Sequence, residues 1–226
     1  MANTPITLAD VLRGATELQL GELTEHSVKL ALWAAILSAN ASLLVNTRQM
    51  DVLREYVDGL PVDRDTLYRQ MEGTGRFTRV KCGGLYYVES LECAGKLAGL
   101  ENIGATYAEQ CAWRDHVYNL MHGHGMAWKT VSLAALILQP MACELVPVDR
   151  HVLARFGFAS RNSPPRRGRY LAIETLVRDE RALAGYDHIP LALWHWLTWE
   201  QWRQATGASK AHGGVESHIG LSCRAR

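Results

Sequence analysis

Residues 120–130 read Leu-Met-His-Gly-His-Gly-Met-Ala-Trp-Lys-Thr, and the apolar run 131–138 follows them directly. Gly123 and Gly125 favour a tight turn, because glycine adopts positive φ without the steric cost that a side chain adds. They also leave backbone N–H groups uncovered before the next helix, where a phosphate can approach the helix N-terminus. The stretch therefore predicts two helices joined by a hairpin that contacts a phosphate backbone.

Residues 146–152 form a second motif, Val-Pro-Val-Asp-Arg-His-Val, and Asp149 lies 20 residues after Lys129. The position of Asp149 suits a helix N-cap. Its apolar neighbours predict partial burial, which for an uncompensated carboxylate costs on the order of several kcal/mol. We therefore expect Asp149 to be an ionised catalytic carboxylate that also caps its helix. Lys129 is either a desolvated amine nucleophile or a lysine that faces phosphate or solvent.

The two motifs together resemble the helix-hairpin-helix DNA glycosylases of the endonuclease III and 8-oxoguanine glycosylase type. That family has a Gly-x-Gly hairpin, a lysine that opens a helix and, one helix later, a Val-Asp-x-His-Val motif. The similarity extends to 32–40, 76–82 and 191–196, so it covers most of positions 25–200. One position departs from the family pattern, since Ala127 stands where the lysine is usual and Lys129 comes two residues later.

The resemblance implies an all-α unit with two helical subdomains that flank a DNA cleft. A hairpin subdomain at about 60–155 is expected, with the N-terminal and C-terminal helices packed together and 207–226 as a tail. The implied activity is excision of a damaged or modified base after it is flipped out of the duplex. In that reaction Lys129 forms a Schiff base that permits strand scission. If Lys129 is not the nucleophile, Asp149 and a water give base excision alone.

Periodicity by itself also predicts an all-α chain. Apolar residues at helical spacing indicate helices over 25–40, 46–59, 80–97 and 107–121. No run of residues alternates between apolar and polar in the manner of a half-buried strand.

Further DNA contacts are expected from the hairpin, the end of the early helix and the basic loop 160–169. The residues concerned are His122, Gly123, His124, Gly125, Ala127, Thr130, Asn40, Ser42, Arg166 and Arg167. Asn40 and Ser42 occupy the place where the family fills the gap left by an extruded base. The loop either supplies a local positive field or is a solvated linker. No metal is expected, because the spacing of His122 and His124 does not put both on one helical face.

The net charge of the chain is only +1, so duplex DNA, the expected partner, has to be bound by a local patch. The five cysteines are scattered, which predicts reduced thiols and neither an iron–sulfur cluster nor another cofactor. With no secretory signal or membrane span in the sequence, we expect a cytoplasmic, nucleoid-associated monomer. A phage protein that acts in the host cytoplasm fits equally well.

Two alternatives stay open. The phage enzymes that hypermodify thymine bases resemble glycosylases in fold, yet they transfer groups to the base and leave the glycosidic bond intact. A non-catalytic DNA-binding protein would keep the hairpin and lack the chemistry. The sequence does not identify the base, because pocket selectivity depends on side chains that the fold brings together.

Overall fold

The computed structural model describes residues 6–18, 22–38, 43–75, 77–158 and 165–206. This part of the chain is all-α and contains no strand, which confirms the predicted fold class. Its helices are α1 (Leu8–Leu18), α2 (Glu25–Ser38), α3 (Leu43–Leu53), α4 (Arg64–Glu72), α5 (Arg79–Cys93), α6 (Tyr107–Leu120), α7 (Trp128–Leu138), α8 (Arg150–Arg155), α9 (Arg167–Leu183) and α10 (Leu191–Ala205). A 3₁₀ turn, Arg54–Tyr56, extends α3. None of the described helices is both long and apolar enough to cross a bilayer.

Local capping sets several of the helix boundaries. Thr78 accepts a hydrogen bond from the Lys81 amide at 3.2 Å and so begins α5. α5 ends at Cys93, four residues before the predicted end, because Gly95 turns the backbone to a φ of +65°. The Lys96 amide then donates to the Leu91 carbonyl at 2.8 Å, the bond that closes a Schellman turn.

Helix α2 lies at the centre of the larger of two hydrophobic cores. Its apolar residues cover nearly every side, and Leu32, Trp33 and Leu37 are fully buried. α2 packs on α3, α5 and α7, and the Trp33 indole donates to the Leu85 carbonyl at 3.2 Å. Residues of α4 and α6 complete this core. A helix that is apolar on all sides is stable only when neighbours surround it, which explains its central place.

The smaller core joins the two ends of the described chain. It contains residues of α1, α8, α9 and α10, and α1 packs directly on α10. Leu145 belongs to the larger core, whereas Val146 and Val148 belong to the smaller one. The chain therefore passes from one core to the other a few residues before Asp149.

Helix α5 continues through Gly84 because this glycine permits a close approach. A Cβ at Gly84 would lie 3.0 Å from the His124 carbonyl oxygen and 3.3 Å from the Ile36 side chain. Any side chain here would push the hairpin away from α5 and α2. The close packing of α5, α2 and the hairpin at Gly84 therefore outweighs the low helix propensity of glycine.

Candidate nucleic-acid interface and active site

The hairpin 121–127 joins α6 to α7, and both of its glycines have positive φ. The angles are +82° at Gly123 and +80° at Gly125, as the turn chemistry predicts. The His124 amide donates to the Met121 carbonyl at 3.0 Å. Ala127 occupies the N-cap of α7 and supplies no side-chain acceptor. The positive end of the α7 dipole therefore faces the turn without a capping side chain.

The two hairpin histidines have different roles. The His124 ring stacks on Tyr87, with centroids 3.4 Å apart and planes at 3°. Tyr87 in turn donates from its hydroxyl to the Leu120 carbonyl at 3.0 Å, so this pair fastens the hairpin to α5. His122 is exposed and makes an edge contact with Tyr118 at 5.7 Å. Of the two, His122 is the one placed to reach a ligand in solvent.

A methyl group at Gly123 tests the hairpin as a phosphate clamp. A Cβ there meets nothing within 4 Å, whereas a Cβ at Gly125 would lie 3.1 Å from Val80. We expect Gly123→Ala to weaken binding of every DNA sequence alike, by roughly fivefold, because backbone amides contact phosphate rather than bases.

Gly185→Ala is the matched control for this substitution. Gly185 also has positive φ, +77°, with open space around it, and it follows the 17-residue helix α9. It therefore lies about 25 Å along that helix from Arg167. Both variants carry a strain of about 1 kcal/mol, which thermal melts will register. If Gly123→Ala and the parent bind DNA with equal affinity in a filter-binding titration, the hairpin is not a phosphate clamp.

Lys129 is the second residue of α7 and is half-buried. A second amine, Lys81 of α5, lies within electrostatic reach of it. Lys81 is 6% exposed, and its Nζ donates to the Leu37 carbonyl at 2.6 Å. Burial, and after it the charge of Lys129, lowers the pKa of Lys81 to about 8. Two lysines therefore lie near each other where α2 ends and α7 begins.

Asp149 caps α8, which confirms the capping role predicted for it. Its Oδ1 accepts from the His151 amide at 2.8 Å and the Val152 amide at 2.9 Å. The ring of His151 lies 6.0 Å from Trp199 and 5.7 Å from Trp202, both on α10. The half-buried carboxylate thus stands beside an aromatic cluster, His151, Trp199 and Trp202.

Tyr170 of α9 brings the segments of Lys129 and Asp149 together. Its ring makes an edge contact with Trp128, with centroids 5.6 Å apart, and Trp128 directly precedes Lys129. Its hydroxyl accepts from the Val148 amide at 3.1 Å, and Val148 directly precedes Asp149. One side chain therefore touches the immediate neighbours of both candidate catalytic residues.

Behind Tyr170 lies an ion pair that sequence reasoning did not find. Arg114 and Glu174 are fully buried, and the two guanidinium nitrogens lie 2.8 and 3.1 Å from the carboxylate oxygens. The Arg114 guanidinium also stands 4.6 Å from the Trp128 ring centroid. The carboxylate holds the pKa of Arg114 above its ordinary value despite burial.

The two arginines predicted to contact DNA lie at the start of α9 and differ in their surroundings. Arg167 lies 5.2 Å over the Trp128 ring but pairs with Asp115 at 3.0 Å, which reduces the charge it offers to DNA. Arg166, at the N-cap of α9, is exposed.

Thr130 is 5% exposed and its amide donates to the Ala127 carbonyl at 2.8 Å, so the contact expected from Thr130 is withdrawn. The predictions for Asn40 and Ser42 lie outside the described residues. No group of three metal-ligating side chains occurs among the residues that are described.

His195 is a buried histidine on α10 that faces the Asp149 end of the site. It is 6% exposed, and its Nδ1 has no hydrogen-bond partner among the described residues. Burial, followed by the Arg155 guanidinium, lowers its pKa to about 3 against the opposing effect of Asp149. The imidazole is therefore neutral in the folded protein and protonates first in the unfolded chain.

This depressed pKa predicts a loss of stability in acid. Stability from His195 is present above pH 6.5, its ordinary pKa, and is lost progressively as the pH falls towards 3. Between pH 6.5 and 4.5 the parent should lose about 2 kcal/mol more of its free energy of unfolding than His195→Met. Urea titrations measure this, with exposed His116→Met as the control. If the free energy of unfolding depends on pH equally in the parent and in His195→Met, this prediction is wrong.

Protein-family models, curated proteins and solved structures were compared with the chain, and none matches it. No family is assigned on that ground.

Proposed function

We propose that the chain is a DNA N-glycosylase with AP lyase activity, acting on a damaged or modified base flipped out of duplex DNA. The observation that carries the proposal is the meeting of Trp128 and Val148 on Tyr170. It holds the segment of an amine, Lys129, beside that of a carboxylate, Asp149, at the end of the glycine hairpin. An amine and a carboxylate so placed are the groups that nucleophilic base excision needs.

The hairpin supplies the contact with the DNA backbone. Gly123 and the uncapped start of α7 offer amide hydrogens and a positive dipole to one phosphate. The exposed Arg166, next to the Arg167 that lies over Trp128, adds positive charge near the same face. Because the whole chain carries a net charge of only +1, few phosphates are neutralised. We therefore expect DNA binding that weakens only modestly with salt.

Lys129 and Asp149 divide the chemical steps. Nζ of Lys129, once it has lost its proton, forms a bond to the sugar C1′ while the bond from C1′ to the base breaks, and the base leaves with that electron pair. The carboxylate of Asp149 stabilises the positive charge that develops on the sugar and accepts a proton from the attacking amine. Asp149 returns that proton to O4′ as the C1′–O4′ bond breaks and the nitrogen lone pair forms the imine. Loss of a C2′ proton to the same carboxylate then breaks the C3′–O bond, and the 3′ phosphate leaves with that electron pair, which nicks the strand.

The aromatic cluster His151, Trp199 and Trp202 is the surface proposed to receive the extruded base. All three side chains are half-buried, and they stand beside the helix that Asp149 caps. Aromatic rings stack on a base of any identity, so they provide affinity for a flipped nucleotide without defining which one is chosen.

The proposal is tested on duplex oligonucleotides that carry an abasic site, an oxidised base, a deaminated base or 5-hydroxymethyluracil. Each is incubated with the protein with and without borohydride, beside an unmodified duplex of the same sequence. Base release with strand nicking and a borohydride-trapped adduct is the expected result. Release without an adduct would leave a monofunctional glycosylase. Binding of the duplexes without release of any base would overturn the glycosylase and leave the base-modifying transferase or the non-catalytic DNA-binding protein.

A further inference from the structure

The three residues that lead to Asp149 are held by two side chains of α9. Tyr170 donates from its hydroxyl to the Val146 carbonyl at 2.5 Å and accepts from the Val148 amide at 3.1 Å. Glu174, one helical turn later, accepts from the Val146 amide at 2.9 Å. Residues 146–148 have no regular secondary structure, so these bonds take the place of a helical or strand ladder.

The other contacts of Tyr170 fix its own position. It is 1% exposed, and its hydroxyl oxygen lies 3.0 Å from Ser132 Oγ of α7. Its ring packs on Trp128, and the Arg114 guanidinium stands 5.4 Å from the ring centroid. Tyr170 is thus anchored to the helix that carries Lys129 while it holds the segment that carries Asp149.

We propose that Tyr170 is a positioning residue, which fixes Asp149 relative to Lys129 through the backbone of Val146 and Val148. This inference rests on the proposed function for its catalytic consequence. Its structural part is independent of that function, because it concerns how firmly the segment before Asp149 is held. Loss of its hydroxyl changes turnover without changing how tightly DNA binds, since the ring contact with Trp128 beside the hairpin is kept.

Tyr170→Phe tests the proposal, because it removes only the hydroxyl and keeps the ring that packs on Trp128. The Val148 amide then loses its acceptor in a buried place. We expect kcat for base release to fall roughly tenfold with KM within about twofold of the parent. We also expect faster hydrogen exchange in peptides covering 146–152, where the amides of Val148, His151 and Val152 lie.

Tyr107→Phe is the matched control. The Tyr107 hydroxyl donates to Oε2 of the same Glu174 at 2.8 Å, from α6. This variant removes a hydroxyl from the same buried network and leaves both bonds of Tyr170 to residues 146–148 intact. Its kcat and its exchange over 146–152 should match those of the parent. Ser132→Ala, which removes one contact of the Tyr170 hydroxyl, serves if Tyr170→Phe does not fold, and there a loss of roughly twofold to threefold in kcat is expected.

The outcomes separate this inference from the proposed function. If the parent acts on none of the modified duplexes, the proposed function fails, and the exchange measurement alone decides whether Tyr170 holds the segment. Faster exchange in Tyr170→Phe but not in Tyr107→Phe supports the positioning role. If Tyr170→Phe does not fold, faster exchange in Ser132→Ala but not in Tyr107→Phe supports it. Equal effects of the tyrosine variants on kcat and exchange, or a change confined to KM, would overturn it.

Discussion

Asp149→Asn is expected to leave the fold and DNA affinity nearly unchanged while it lowers the rate of base release by roughly 100-fold or more. The amide oxygen of asparagine can still accept from the amides of His151 and Val152, which Oδ1 of Asp149 accepts at 2.8 and 2.9 Å. The negative charge, however, is lost, and it is needed mainly when positive charge develops on the sugar. Single-turnover release of the base, with a parallel binding titration, measures the two effects separately.

Two controls separate the cap from the charge. Asp63→Asn makes the same substitution at the N-cap of α4, where Asp63 accepts from the Asp65 amide at 3.0 Å, and it should change neither stability nor turnover by much. Asp149→Ala removes the cap as well and should cost about 1 kcal/mol more of stability than Asp149→Asn. Unchanged turnover in Asp149→Asn would show that Asp149 caps α8 and has no catalytic role.

The features that the sequence predicted well depend on residues that are close together in the chain. Apolar periodicity predicts the helices, and the spacing of Gly123 and Gly125 predicts the turn with its two positive φ angles. The cap at Asp149 follows from residues 146–152 alone. Each of these depends on interactions within one or two helical turns, so a single chain segment carries the information.

The residues that support the site could not be predicted in the same way, because their partners lie far apart in the chain. Arg114 and Glu174 are 60 residues apart and stand on different helices. A weak signal does exist, since each stands in a mainly apolar stripe, Arg114 between Trp113 and Val117, and Glu174 between Ile173 and Val177. A charge in such a stripe indicates a buried partner without saying which one.

Other members of the site show no local signal at all. Lys81 lies in the first turn of α5, and only its burial in the folded chain, with the charge of Lys129 after it, lowers its pKa. His195 stands among tryptophans and resembles any core histidine. The meeting of Trp128 and Val148 on Tyr170 is likewise a product of tertiary packing. Pair contacts of this kind are decided by the whole fold, not by the segment.

Asp149 lies on the smaller core, just after the chain leaves the larger one, which favours a reaction that brings groups from both sides to one nucleotide. Lys129 opens a helix of the larger core, and the aromatic cluster with Trp199 and Trp202 belongs to the smaller side. A nucleotide held between them would touch the amine from one side and the rings from the other.

Lys129→Gln is expected to abolish both the borohydride-trapped adduct and strand nicking, because glutamine has no amine to form the imine that borohydride reduces. Base release through a water assisted by Asp149 should persist at a lower rate. Denaturing gels with labelled duplex follow the adduct, the nick and the abasic product in one experiment.

Lys81→Gln is the informative companion to that variant, because Lys81 is the other amine at the same end of the site. If Lys129 is the nucleophile, Lys81→Gln keeps the adduct even where its rate falls. An adduct that survives in Lys129→Gln and disappears in Lys81→Gln would assign the Schiff base to Lys81 instead. Loss in both variants with intact binding would indicate that the two amines act as a pair, in which one positive charge keeps a proton off the other.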